Sequence, residues 1–348
     1  QNERKFSNAV QLFHANLSNE RSDPRTMALM HNKATAPVPA KQQVPKKKGF
    51  LYELRKNRVL FLMILPVILY ALIFNYFPML GNIVAFKKFN YTDGIFGSPW
   101  AGLSNFEFLI KGGVLWRTTR NTLLYNIAFM IIDVVSQMGI ALMLNEIIST
   151  KFKKVCQSLM FLPYFISFVL VQSIAYGFFN YEYGIVNNVL TSLGMDPVNL
   201  YAKVWPWLLI FFHVWKGLGY GIVIYMAAIT GISSEYYEAA TLDGATKWQQ
   251  IRYITIPLLK PTAITLTMFS IGHIMKGQFE LFYQLIGTNG LLYEITDIID
   301  TYVFRSITQT FDPGMSTAAG LYQSVFGFVL IMIVNTVIKK IQPEYALF

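Results

Sequence analysis

Apolar residues gather in six long stretches along the chain, and polar segments separate them. A membrane-spanning helix needs about 20 mostly apolar residues, and each stretch meets that length. None of them alternates apolar and polar residues as a barrel strand does, so helices are the expected spanning elements. The pattern predicts an all-α membrane protein whose spans cover residues 59–80, 119–145, 156–180, 204–232, 262–287 and 316–338.

The composition supports this prediction. Charged residues make up only 14% of the chain, whereas soluble domains carry about a quarter. The net charge of +10 raises the possibility of a nucleic-acid partner. The positions of the basic residues along the chain decide whether that interpretation holds. The single cysteine, Cys156, excludes an internal disulfide.

Lysine and arginine are divided unevenly between the two sides that six spans define. Twenty of the 29 lie before the first span, after the last span, and in the connections after the second and fourth spans. Only seven lie in the other three connections or at the adjoining end of the second span. Because basic residues accumulate on the cytoplasmic side, both termini are predicted to be cytoplasmic. The basic residues then face a membrane surface, and no nucleic-acid partner is expected.

The N-terminal part differs in composition from the rest. Residues 1–57 are polar and end in basic runs, which predicts a cytoplasmic basic tail that is partly disordered. Residues 58–345 are predicted to form the six-helix transmembrane domain.

A polar segment over residues 233–261 separates the fourth span from the fifth. Its charged side chains each cost several kcal/mol at the bilayer centre, so the segment is expected on an aqueous face. The sequence predicts a short helix over 236–242, a bend at Gly244 and a second amphipathic helix. Pro257 and Pro261 are expected to end or kink that second helix.

The same segment carries a spaced motif. Three residues separate Glu238-Ala239-Ala240 from Gly244, and nine more precede Ile254-Thr255-Ile256-Pro257. This spacing resembles the EAA loop of ABC-importer permeases, whose pattern ends in Ile-x-Leu-Pro. Ile256 stands where that family usually has leucine.

The resemblance implies a type I ABC importer permease fold, in a multi-pass protein of the bacterial inner membrane. It also implies that the loop docks in a cleft of a cytoplasmic ATPase. The implied partners are a second homologous permease, which gives a heterodimer, two ABC ATPase subunits and an extracytoplasmic solute-binding protein. The residues that the resemblance assigns to ATPase coupling are Glu238, Ala239, Ala240, Asp243, Gly244 and Pro257.

The chain lacks the motifs of common catalytic sites. It has no Gly-x-x-x-x-Gly-Lys-Ser/Thr phosphate loop, no zincin motif and no Gly-x-Ser-x-Gly elbow, and its four histidines are scattered. No enzymatic activity, metal site or cofactor is therefore expected in this chain. The resemblance places ATP and Mg²⁺ in the partner ATPases.

Three further stretches narrow the resemblance. They are Trp100–Phe106, Gly184–Asn187 and Glu294–Arg305. Together with the EAA loop they resemble the MalF-like sugar permeases, and within these the LplB-like polysaccharide permeases. The resemblance implies that the substrate is an oligosaccharide or polysaccharide.

Two predicted spans contain a histidine and a lysine three residues apart, His213 with Lys216 and His273 with Lys276. That spacing places each pair on one helix face. Two such faces would make a basic lining for carboxylate-bearing sugars, and nearby aromatic rings would stack on sugar rings. We therefore expect fragments of the alginate or pectin type as substrate. The candidate pathway residues are His213, Trp215, Lys216, His273, Lys276, Glu280 and Tyr283.

Other interpretations stay open at this point. Lys276 with Glu280, and Asp133 with Lys216, are the ion pairs that would make these charges structural. A permease for neutral oligosaccharides or for another small solute fits the same motif. A secondary transporter is the remaining class, but the chain shows no internal repeat and that class has no use for an EAA loop.

Overall fold

The computed structural model describes residue 52 and residues 55–199 and 205–346. These residues are nearly all helical, and among them no β-strand forms; one isolated antiparallel bridge joins Lys87 and Trp100. The all-α prediction is confirmed. The predicted tail over residues 1–57 lies almost wholly outside the described residues, so that domain boundary stays a prediction.

The α-helices are numbered here in chain order. They are α1 Arg58–Ala71, α2 Phe77–Met79, α3 Gly94–Gly97, α4 Ser104–Lys111, α5 Val114–Asn145, α6 Thr150–Phe161, α7 Phe168–Phe179, α8 Ile185–Ser192, α9 Trp205–Thr230, α10 Ser234–Leu242, α11 Lys247–Gln250, α12 Ile256–Gly272, α13 Phe279–Ile286, α14 Tyr293–Thr296, α15 Ile299–Thr308 and α16 Pro313–Ile341. Short 3₁₀ turns cover Leu80–Phe86, Leu162–Phe165, Gly290–Leu292 and Pro343–Tyr345, and π-turns cover Leu72–Tyr76 and Ile251–Thr255.

The chain divides into two compact units, residues 1–71 and residues 72–348. The described part of the first unit is mainly α1, an apolar helix in which no residue is buried. The second unit holds the other helices of the described residues and their buried apolar clusters.

Five helical segments of the described residues are long and apolar enough to cross a membrane. They are Arg58–Phe86, Val114–Asn145, Trp205–Thr230, Lys247–Gly272 and Pro313–Ile341. A sixth span results if the pair Thr150–Phe165 and Phe168–Phe179 is counted as one. This agrees with the six predicted spans, whereas the cytoplasmic position of both termini remains a prediction from the charges.

The third span differs from the continuous helix predicted over residues 156–180. Its two halves meet at an angle of 99°. The first half ends in the 3₁₀ turn that contains Pro163, because proline has no N–H to continue the helical hydrogen bonds. Ser167 then caps the second half by accepting a hydrogen bond from the Leu170 amide.

The fifth span also differs from its prediction, because its helix both begins and ends earlier along the chain than predicted. The helix predicted over 262–287 ends at Gly272 and resumes at Phe279. Pro257 and Pro261 do not end the preceding helix, because Pro257 lies in the first turn of α12 after a π-turn. The loop helix α11 and the fifth span therefore form one helical path, Lys247–Gly272.

Helices α5 and α9 pack closely at the centre of the second unit. Gly221 of α9 faces the side chain of Gln137 on α5, and there is no room for a Cβ atom between them. Gly219 faces the backbone of Met160 and Phe161 on α6 with equally little room. Gly219 therefore lets α9 approach the backbone of α6, and Gly221 leaves room for the Gln137 side chain of α5.

The segment that follows α13 is tied to α5 by buried polar groups. The Asp297 carboxylate accepts from Arg305 at 2.7 Å and from Arg117 at 3.4 Å. Asn121 donates to the backbone carbonyls of Glu294 and Asp297 at 3.1 and 3.0 Å. A buried charge is stable when it is paired and hydrogen-bonded in this way. The cluster fixes the position of α14 and α15 beside the second span.

We predict that Gly219→Ala lowers the free energy of unfolding by about 1–3 kcal/mol, because the added Cβ meets backbone atoms that cannot move aside. The matched control is Gly217→Ala, whose Cβ has open space around it. Heat unfolding of the purified protein in detergent measures both. Equal midpoints for the two variants contradict the close contact between α9 and α6.

Candidate functional site

The break in the fifth span is the centre of the candidate site. Residues 273–278 connect α12 to α13 and leave backbone groups without helical partners. Asn126 of α5 donates through its Nδ2 atom to the carbonyls of Ile274 at 2.9 Å and Lys276 at 3.2 Å. One amide side chain thus satisfies two carbonyls that the helix break leaves without backbone partners.

Two further side chains hold the same break from its other side. The amide of Gly277 donates to Asp300 Oδ2 at 2.7 Å, and Gln323 donates to the same oxygen at 3.0 Å. Gln323 also donates to the Met275 carbonyl at 2.6 Å. The loop therefore has a fixed shape that α5, α15 and α16 impose together.

Burial raises the pKa of the Asp300 carboxyl, because the charged form is poorly solvated there. Hydrogen bonds from Gly277 and Gln323 and the charge of Lys276 oppose that rise. Asp300 thus acts as a hydrogen-bond acceptor for the loop and as a counter-charge near Lys276.

Two cavities flank the break, and His273 and Lys276 line both of them. The larger has a volume of about 440 Å³ and the smaller about 340 Å³. Polar side chains contribute much of the larger cavity's wall. They are Asn126, Asp133, His213, Ser270 and Gln278. The structure thus brings His213, His273 and Lys276 of the predicted pathway set together around one cavity.

Asp133 and His213 form a pair in the wall of the larger cavity. Their Oδ2 and Nε2 atoms lie 2.9 Å apart, and the His213 ring stacks on Phe129 with centroids 3.9 Å apart. The second carboxylate oxygen of Asp133 is buried and has no hydrogen-bond partner among the described residues. The pair places a carboxylate and an imidazole in the wall of the cavity.

Neither ion pair that the sequence left open is formed. Among the described residues, Asp133 pairs with His213 instead of Lys216. Lys276 and Glu280 are not within ion-pair distance of each other, although they are four residues apart. The helix break between them removes the α-helical spacing on which that pairing depended.

Lys216 lies at the break of the third span instead of at the cavities. Its Nζ atom donates to the carbonyls of Ile166 at 2.6 Å and Tyr164 at 2.7 Å, and it lies 3.5 Å from that of Pro163. It also lies 5.0 Å from the ring centroid of Phe168. Its charge is therefore used to satisfy the carbonyl groups that the bend exposes.

The other three predicted pathway residues line neither cavity. Trp215 packs edge-on against Phe212, with centroids 6.2 Å apart. Tyr283 stacks on Phe279 at 5.2 Å. Glu280 is exposed in the first turn of α13. Of the predicted pathway set, the larger cavity therefore contains the two histidines and Lys276 alone.

The loop over residues 233–261 forms a helical hairpin. Helix α10 ends in a left-handed residue, Gly244 with φ of +80°, and the Ala245 amide donates to the Ala240 carbonyl at 2.9 Å. This is a Schellman turn, in which glycine avoids the strain of a positive φ. Thr246 and Gln249 then form a capping box that starts α11.

Side chains lock the two loop helices together. The hydroxyls of Tyr237 and Thr255 lie 3.0 Å apart, and Gln250 donates to the Thr241 hydroxyl at 2.9 Å. The predicted coupling residues lie on the open surface of this hairpin. Glu238, Ala239, Asp243, Gly244 and Pro257 are exposed, and Ala240 is half-buried. Large apolar side chains are exposed beside them at Tyr236, Leu242, Trp248 and Tyr253.

Residues 46–343 match the family described as the binding-protein-dependent transport system inner membrane component. The chain belongs to this family. It is therefore an inner-membrane permease subunit, which the several apolar spans and the exposed loop hairpin fit. The family resemblance seen in the EAA motif is confirmed.

The similarity to individual relatives extends over almost the whole length of those relatives. Protein LplB of Bacillus subtilis (strain 168) is 32% identical over 316 residues, which are 88% of this chain and 98% of LplB. The polygalacturonan/rhamnogalacturonan transport system permease protein YteP of the same organism is 34% identical over 302 residues, 86% of this chain and 93% of YteP. A solved bacterial ABC transporter that imports the acidic polysaccharide alginate contains a similar chain. It has a TM-score of 0.75 and 32% identity, over 84% of this chain and 99% of that chain.

Sequence reasoning did not identify Asp300 and Gln323, which hold the break in the fifth span. Both lie in other helices, and only the folded chain brings them to residues 273–278. A signal was present in Gly272 and Gly277, which bound a short segment with a histidine and a lysine. Glycines at that spacing in a hydrophobic run indicate an interrupted helix.

We predict that Lys216→Met lowers the free energy of unfolding by at least about 2 kcal/mol, because carbonyls at the bend lose their donor. The control is Lys276→Met, since the Lys276 ammonium makes no hydrogen bond with the described residues. We expect that control to stay within about 0.5 kcal/mol of wild type. Heat unfolding in detergent compares the two variants, and equal losses contradict the role of Lys216 at the bend.

Proposed function

We propose that this chain is a permease subunit of an ATP-driven ABC importer for oligosaccharides or polysaccharides, and that its substrates are acidic, uronate-containing fragments. The observation that carries the proposal is the larger cavity, where His273 and Lys276 lie beside the break in the fifth span. Interrupted spanning helices are where transporters form their substrate sites. The names of YteP and of the alginate transporter are consistent with such substrates.

The charges around the cavity favour an anionic sugar. Asp133 is hydrogen-bonded to His213, whereas Lys276 has no carboxylate within ion-pair distance among the described residues. A uronate carboxylate can pair with that ammonium in a charge-assisted hydrogen bond. The ring of Phe269 offers an apolar face to the sugar.

The partners follow from the same proposal. A second homologous permease completes the pathway as a heterodimer, and a solute-binding protein delivers the substrate from outside. Two ABC ATPase subunits bind ATP and Mg²⁺, so this chain needs no cofactor and catalyses no reaction. Glu238 pairs with a basic group in the ATPase cleft, and Ala239 and Ala240 permit close packing there.

Neutral oligosaccharides are the second candidate substrate class. The larger cavity also contains uncharged hydrogen-bonding side chains, Asn126, Ser270 and Gln278. Amide and hydroxyl groups bind sugar hydroxyls without any need for charge. The two classes differ in how strongly uptake depends on Lys276.

We predict that Lys276→Gln reduces uptake of an oligogalacturonate at least about tenfold and changes uptake of a neutral oligosaccharide less than about twofold. Loss of one charge-assisted hydrogen bond to the carboxylate accounts for a change of this size. The measurement is uptake into proteoliposomes that contain the complete transporter.

The control for this experiment is Lys151→Gln, which removes an exposed lysine of α6 outside the cavity. It should leave both uptake rates at wild-type values. If Lys276→Gln lowers both rates equally, or lowers neither, the preference for acidic sugars is wrong. That outcome does not contradict the proposal that the chain transports sugars.

The coupling role of the loop gives a separate prediction. Glu238→Ala and Gly244→Asp are expected to cut transport at least about tenfold while ATP hydrolysis by the assembled complex continues. Glu238 loses its ion pair, and an aspartate at φ of +80° strains the turn. The control is Glu235→Ala, an exposed carboxylate at the start of the same helix. Wild-type transport by either test variant in vesicles contradicts the coupling role.

A further inference from the structure

A third cavity, of about 410 Å³, opens between α5, α9 and α14. It shares no lining residue with the two cavities of the candidate site. Its wall is mostly apolar, and it includes one cationic side chain, Arg120. Its apolar lining includes Leu124, Ala128, Pro206 and Ile210.

Arg120 differs from its neighbour Arg117 in having no counter-charge. Arg117 pairs with Asp297, whereas no carboxylate lies within ion-pair distance of Arg120 among the described residues. Its guanidinium donates only to neutral oxygens, Asn121 Oδ1 at 3.2 Å and the Glu294 carbonyl at 3.1 Å. Asn121 accepts from both Nε and Nη2, and the Glu294 carbonyl accepts from Nη2 alone. The two N–H groups of Nη1 therefore remain as donors.

The depth of these residues along their helices follows the layers of a bilayer. Helix α5 has 32 residues, about 48 Å, which exceeds the hydrocarbon core of about 30 Å. In a helix centred on the bilayer, Arg120 lies about 14 Å from the midplane, at the border with the headgroups. Leu124 and Ala128 lie one and two turns deeper. On α9, Pro206 likewise lies near the start of the helix, and Ile210 lies one turn deeper.

We propose that this cavity is a binding site for one anionic phospholipid. The phosphate accepts hydrogen bonds from the free side of the Arg120 guanidinium, which matches phosphate geometry. One acyl chain lies along Leu124, Ala128 and Ile210 at hydrocarbon depth. The charge of Arg120 selects an anionic headgroup over a zwitterionic one, and the apolar wall selects a lipid over free phosphate.

The experiment uses the complete transporter complex, purified, delipidated and titrated with phosphatidylglycerol or phosphatidylcholine in native mass spectrometry. For the wild type we expect the one-lipid adduct to be at least about fivefold more abundant with phosphatidylglycerol. Arg120→Gln is expected to lower that adduct about fivefold, the effect of one basic residue near a lipid headgroup. Inorganic phosphate at millimolar concentration should not displace the lipid.

A second variant tests the apolar half of the site. Ala128→Phe fills the cavity wall but leaves the hydrogen bonds of Arg120 in place, and we expect it to lower the adduct by a similar factor. The control is Lys88→Gln, an exposed cation outside the cavity, which should bind lipid as the wild type does. The proposal is overturned if both cavity variants keep the full adduct or if phosphatidylcholine binds equally well. It is also overturned if the wild type gives no adduct, as when the partner permease fills the cavity.

Discussion

The structure depends on one constraint, which is that backbone groups freed at a helix break inside a membrane must find partners within the protein. Two spans of this chain are broken, and each break has its own donor from another helix. Lys216 of α9 donates to the carbonyls at the bend of the third span. Asn126 of α5 does the same for the fifth, where Asp300 also accepts from the backbone. Without these side chains both breaks would expose unsatisfied polar groups to lipid.

The same constraint explains how a polar cavity can exist among apolar helices. The break in the fifth span turns His273 and Lys276 away from a regular helix, and the partners on α5 and α16 keep the loop in one shape. In the wall, Asp133 is already engaged in a hydrogen bond with His213. Lys276 is left as the basic group of the larger cavity, and this asymmetry is what makes an anionic sugar the substrate that we propose.

Sequence reasoning reached the architecture but not the breaks. Apolar length predicts spans well, because a bilayer requires it, and the spacing of Glu238, Gly244 and Pro257 identified the loop. Periodicity cannot show where a span bends, because both halves stay apolar. For that reason Lys216 resembled a pathway residue, although its donors are taken up by carbonyls near Pro163. Whether Pro257 ends a helix also depended on context, because here it lies in the first turn of α12, directly after a π-turn.

The unbroken path from Lys247 to Gly272 has a mechanical consequence. It contains 26 residues, so it is a rod about 39 Å long, with the loop hairpin at one end and the cavity at the other. Tilting such a rod by about 10° about one end moves the opposite end by about 7 Å. A small tilt of this segment thus corresponds to a displacement comparable to the width of a sugar ring. The bending stiffness of this segment, more than any chemistry within it, would determine how much of a displacement at the hairpin end is transmitted to the cavity end.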